Sequence, residues 1–261
     1  MNITLNLLLF LVTILGGLIP IVYHKWTDLK LNLLLTFSGA YLLSITMLHL
    51  IPESAEVLGF EMGIYILIGF FLQQFLQKFT HGIEHGHSHN TTHHHNHLPI
   101  ASLVIGMAVH AFAEGIPLGA EYLDQQTVPA LYIAIALHKL PEAMVITSLL
   151  IINKNSNLRV ILLLAAFSAL SPLSSFITHS YALEWQEFSK VIPYIIAIVT
   201  GSFLHIGTTI FYESGNKLHA ISIKKWLITI AAIALALLTM IGSGHEHHHE
   251  GQQQYELPHE H

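Results

Sequence analysis

The sequence predicts an all-α integral membrane protein with eight transmembrane helices. Three observations carry this prediction. Of the 261 residues, 52% are hydrophobic and only 10% are charged, against about 25% charged in a soluble domain. Apolar runs close to the roughly 20 residues that cross a bilayer recur along the whole chain. The basic residues are sorted by loop, as the bias of Lys and Arg toward cytoplasmic segments requires. No apolar-poor stretch is long enough to hold a second domain, so residues 1–261 read as a single transmembrane domain.

The spans fall at roughly 3–23, 31–53, 60–80, 99–120, 127–152, 158–181, 190–213 and 223–243. Span one begins in MNITLN, with no Lys or Arg before Lys25. It lacks the basic start of a secretory signal and reads as a retained helix. Span two closes on His49-Leu-Ile-Pro-Glu53, and span three ends at Lys78. Spans four and five carry ionisable residues in mid-run, at His110, Glu114, His138, Lys139 and Glu142. Among spans six to eight, span six carries the hydroxyl-rich SALSPLSSF and span seven carries His205 in mid-run. With the N-terminus outside, the inward loops hold Lys25, Lys30, Lys78, Lys154, Arg159, Lys217, Lys224 and Lys225, and the outward segments hold only Lys190. Both termini are therefore expected outside the cytoplasm, in a multi-pass protein of the cell membrane.

Histidine is over-represented, with 21 copies, and cysteine is absent. Disulfides and thiolate metal sites are thereby excluded. Two segments are histidine-rich. The loop at 81–97, expected to be cytoplasmic, includes His85, His87, His89, His93, His94, His95 and His97, which could capture metal. The tail from 244 to 261, expected to be external, contains a formal H-E-x-x-H at His245–His249. That zinc-protease motif needs a helix, and a glycine-flanked low-complexity tail does not supply one.

Ionisable side chains inside a membrane are costly and mark a site or pathway. His110 and Glu114 are spaced i, i+4, as are His138 and Glu142, so each pair shares one helix face. Two such faces offer two nitrogens and two carboxylate oxygens, a set that tetrahedral zinc accepts. A divalent ion would neutralise the two glutamates and lower the cost of burying them. Pro117 and Pro141 stand beside the two pairs, so a kink or break in each helix is expected there. His49 and Glu53 repeat the spacing near the outer end of span two, as an entry path or as an ordinary interfacial end. His205 and Glu213, spaced i, i+8, are either an exit path or, for Glu213, a solvated helix terminus. Lys139 is too deep for its ammonium to reach water and reads as a counter-ion.

HLIPE in span two, HAFAEG in span four, HKLPEA in span five and SALSPLSSF in span six, with the histidine-rich loop between spans three and four, make the chain resemble the ZIP (Zrt/Irt-like) family of divalent metal transporters. The resemblance covers essentially the whole chain. It implies an inverted repeat of spans one to three and six to eight around spans four and five. It also implies that His110, Glu114, His138 and Glu142 ligate the transported ion. Many members hold a second ion beside the first. The positions that would bind it are here Ala111, Lys139 and Ser171, so the resemblance implies a mononuclear site. The expected function is uptake of Zn²⁺ (with Cd²⁺, Fe²⁺ or Mn²⁺ as related substrates) into the cytoplasm by alternating access. The alternatives are an intramembrane zinc-dependent hydrolase and a metal exporter. The expected partners are the metal ion and the lipid bilayer, with a homodimer as the candidate assembly and no nucleic acid.

Overall fold

The computed structural model describes residues 2–22, 28–80, 100–213 and 223–241. Among these residues the regular structure is helical throughout. The α-helices are α1 (Ile3–Val22), α2 (Asp28–Ile45), α3 (Ile51–Leu58), α4 (Met62–Thr80), α5 (Ile100–Gly115), α6 (Thr127–Ile152), α7 (Asn157–Glu184), α8 (Gln186–Glu213) and α9 (Ile223–Ile241). A π-helical turn over Thr46–Leu50 joins α2 to α3, and 3₁₀ turns at Gly59–Glu61 and Pro117–Gly119 follow α3 and α5. Six stretches among the described residues are long and apolar enough to cross a membrane, and one of them runs continuously from Leu31 to Lys78.

The helix ends follow from local sequence. α3 stops at Gly59, whose φ of 55° favours glycine. Ser156 caps α7, its hydroxyl accepting from Arg159 N at 3.4 Å. α5 ends at Gly115, just ahead of Pro117, as the sequence predicts. The break expected at Pro141 is absent. α6 runs uninterrupted from Thr127 to Ile152 with Pro141 inside it. The irregular turn lies instead in the second predicted span, which carries on past Glu53 to Leu58 through the π turn holding His49.

Packing is close because glycines let backbones touch. A Cβ on Gly69 of α4 would fall 1.8 Å from Ile198 O of α8, and one on Gly201 of α8 would fall 2.0 Å from Ile66 O of α4. Likewise Gly115 and Gly119 leave room for Ser171 O and Ser175 O of α7, at 2.1 and 2.2 Å from the missing Cβ atoms. Small residues serve this role in membrane bundles, where lipid is as apolar as leucine. Leucine, isoleucine and phenylalanine are exposed along α1, α4 and α9, among them Leu7, Leu15, Leu67, Phe71, Leu227 and Leu238. Such outward apolar faces suit a lipid surround. α6 sits inward, with buried residues from Thr127 to Leu150 along its length. It packs against α1, α2 and α7.

Candidate metal centre

The ionisable residues of α5 and α6 meet in the interior. Helical spacing aims His110 and Glu114 to one side of α5, and His138 and Glu142 to one side of α6. His110 Nε2 lies 2.9 Å from Glu114 Oε1 and 3.2 Å from Glu142 Oε1. His138 Nε2 lies 3.5 and 3.4 Å from the same two oxygens. One ligand atom from each residue lies within 4.8 Å of every other. Four donors held tetrahedrally about 2 Å from zinc would be about 3.3 Å apart, and the His–Glu separations bracket that value. Among the described residues this is the one such group of three or more His, Asp or Glu. All four side chains are at most 2% exposed.

Lys139 completes the cluster. Its ammonium lies 2.5 Å from Glu114 Oε2 and 2.8 Å from Glu142 Oε2. Each carboxylate is thus divided, with Oε1 facing the imidazoles and Oε2 facing the ammonium. The ammonium also sits 4.8 Å from the ring centre of Phe167 on α7, within cation–π range. Beside it Ser171 donates to Ala111 O at 2.7 Å, and both residues are buried. Positions 111, 139 and 171 therefore place no carboxylate against the four candidate ligands. Among the described residues neither His110 Nδ1 nor His138 Nδ1 has a hydrogen-bond partner. The two rings instead meet edge to face, with centroids 5.8 Å apart.

A family model described as ZIP zinc transporter matches residues 98–242, more than half of the chain. The chain belongs to the ZIP zinc transporter family. No curated protein sequence matches it. ZIP proteins are transporters of divalent metals rather than enzymes, so the hydrolase alternative falls away, and the chain is a multi-pass membrane protein. The stretch that matches the ZIP model includes both helices of the buried His/Glu cluster.

The remaining candidate residues of this ZIP chain lie elsewhere. His49 and Glu53 do not join the cluster. Both contact Thr127 at the start of α6, His49 through Nδ1 at 3.0 Å and Glu53 by accepting from the threonine hydroxyl. His205 Nε2 is 2.9 Å from Gln77 Oε1 of α4, and Ser202 donates to Gln73 Oε1 at 2.9 Å, so His205 belongs to a polar seam between α4 and α8. The backbone of Glu213 closes α8, and its side chain lies outside what is described. The loop residues His85, His87, His89, His93, His94, His95 and His97, and the tail from 244, lie outside the described residues. Sequence reasoning missed Thr127 and Phe167. A threonine opening a helix reads as a cap, and a phenylalanine in an apolar span reads as core, so neither carried a signal.

Proposed function

We propose that this ZIP protein carries Zn²⁺ into the cytoplasm, bound one ion at a time by His110, Glu114, His138 and Glu142. The observation that carries this reading is the convergence of two imidazole nitrogens and two carboxylate oxygens in a closed interior. Two neutral imidazoles with two carboxylates favour zinc among divalent ions, with Cd²⁺, Fe²⁺ and Mn²⁺ as competitors. Lys139 favours a mononuclear site, because its ammonium occupies the far oxygens of both glutamates. With neutral imidazoles the cluster carries one negative charge empty and one positive charge loaded. Without Lys139 the empty cluster would carry two negative charges, a state that is costly to move through hydrocarbon.

The same reading has eight spans in a single transmembrane domain, with both termini outside. The continuous stretch from Leu31 to Lys78 has 48 residues. At helical rise it would be about 72 Å long, against a hydrocarbon core of about 30 Å. It turns at Gly59, which supports two crossings. α9, with 19 residues, is long enough for one. The packing supports an inverted repeat. α5 packs on α7 as α6 packs on α1, and α4 packs on α8 as α9 packs on α2. Exchanging spans one to three with six to eight, and four with five, maps these pairs onto each other. The same reading allows a homodimer and assigns metal capture on the inner side to the histidines of the 81–97 segment.

The test is uptake into sealed vesicles of known protein orientation. Zn²⁺ should accumulate from the face carrying the termini, and Cd²⁺, Fe²⁺ and Mn²⁺ should compete less well. Flux only in the opposite direction would make the protein an exporter.

A further inference from the structure

The outer end of α6 is tied to the second span by a network that metal ligation does not use. Glu53, on α3, employs both carboxylate oxygens. Oε1 accepts from the Thr127 hydroxyl, and Oε2 accepts from Asp124 N at 3.1 Å. Having donated to Glu53, the Thr127 hydroxyl can only accept from His49 Nδ1, 3.0 Å away. His49 Nε2 then lies 3.4 Å from Thr239 Oγ1 of α9. Thr127 is the first residue of α6, so the carboxylate stands at a helix N-terminus, where negative charge is favoured and amide donors lack partners. No residue of α6 provides this anion. It comes from another span.

The ligands His138 and Glu142 ride on α6. A shift of α6 relative to α2 and α3 must separate Glu53 from Thr127 and Asp124. Between the network and the metal ligands, Leu131, Ala134 and Ile135 are fully buried in the core shared with Leu42, Ile45 and Leu50. The pseudo-equivalent inner contact, α8 against α5, is not an extensive one among the described residues, whereas α2 against α6 is. We propose that Glu53, with Thr127, Asp124 N and His49, is a latch that holds α6 in the conformation closed at its Thr127 end. This rests on the alternating-access reading, and it gives His49 and Glu53 a conformational role in place of metal capture.

The chain has no cysteine, so one introduced thiol reports alone. Ala134→Cys, one turn from His138 on the sealed side, is placed in the full-length protein in detergent. Its rate of reaction with a water-soluble, negatively charged maleimide is then measured without metal. In that background Glu53→Gln should raise the labelling rate about tenfold, the effect of losing about one hydrogen bond, and Thr127→Val, which loses two, should raise it at least as much. Thr127→Ser, which keeps the hydroxyl, should label like its parent. Unchanged labelling in both Thr127→Val and Glu53→Gln, with monodisperse folded protein, overturns the latch. So does fast labelling of the serine variant. The readout needs no metal flux, so it stands or falls apart from the proposed substrate and direction of transport.

Discussion

At the scale of single residues, the division of each glutamate between imidazole and ammonium decides what substitutions do. Groups that only orient a metal ligand are worth about 10–100-fold in affinity, so removing a ligand costs more. Glu142→Ala and His138→Ala are each expected to lower zinc uptake by at least about 100-fold, while the detergent-solubilised protein keeps its elution profile. Near-normal uptake by folded Glu142→Ala would remove that carboxylate from the site. Lys139 makes a different prediction. Two divalent ions cannot share the cluster with an ammonium already 2.5 and 2.8 Å from its carboxylates, because repulsion at about 4 Å is strong where the effective dielectric is low. Native mass spectrometry should therefore find one ion per chain at this site. Lys139→Ala should still bind zinc but return empty more slowly. Net uptake should then fall more than zinc–zinc counterflow, which needs no empty return.

At the scale of elements, helix pairs are fixed by backbone approach. Gly201 and Gly69 bring α8 and α4 together so closely that a methyl on either would meet a carbonyl oxygen. Gly201→Ala should destabilise the fold by about 1–3 kcal/mol or more, as overpacking does. Gly63, also on α4, faces open space. Gly63→Ala should be neutral or stabilising, by up to about 1 kcal/mol of helix propensity. Thermal denaturation of the two variants side by side checks the contrast. Equal melting points would mean that the α4–α8 crossing relaxes freely. α6 shows the opposite lesson. Pro141 was expected to kink or break it, yet the helix is unbroken, held on several sides by α1, α2 and α7. A proline weakens a helix locally, but surrounding contacts decide whether it opens.

At the scale of the whole molecule, the proposed function makes α5 and α6 the transport unit and the histidine-rich loop an accessory. Deleting residues 81–97 should leave maximal zinc uptake within about twofold, because a polar, low-complexity segment does not form a path through the bilayer. Apparent affinity or regulation is where the deletion should act. Uptake by the correctly inserted deletion variant, measured over a range of zinc concentrations, checks this. Complete loss of maximal uptake would assign the loop to the path itself.

The helical class, the membrane character and the four residues of the buried cluster were legible in the sequence, because each rests on local periodicity. Hydrophobic runs mark membrane helices, i, i+4 spacing puts His110 with Glu114 and His138 with Glu142 on common faces, and buried charge in an apolar run is too costly to be incidental. Spacing also flagged His49–Glu53 and His205, but it could not say what they touch. That His49 and Glu53 meet Thr127, across 78 and 74 positions of sequence, and that His205 meets Gln77 across 128, depends on which helices pack together. The same holds for the Lys139 ammonium bridging two carboxylates on separate helices and lying against Phe167. Periodicity fixes the direction in which a side chain leaves its own helix. Its partner is decided by the glycine crossings and the core, and those exist only once the chain has folded.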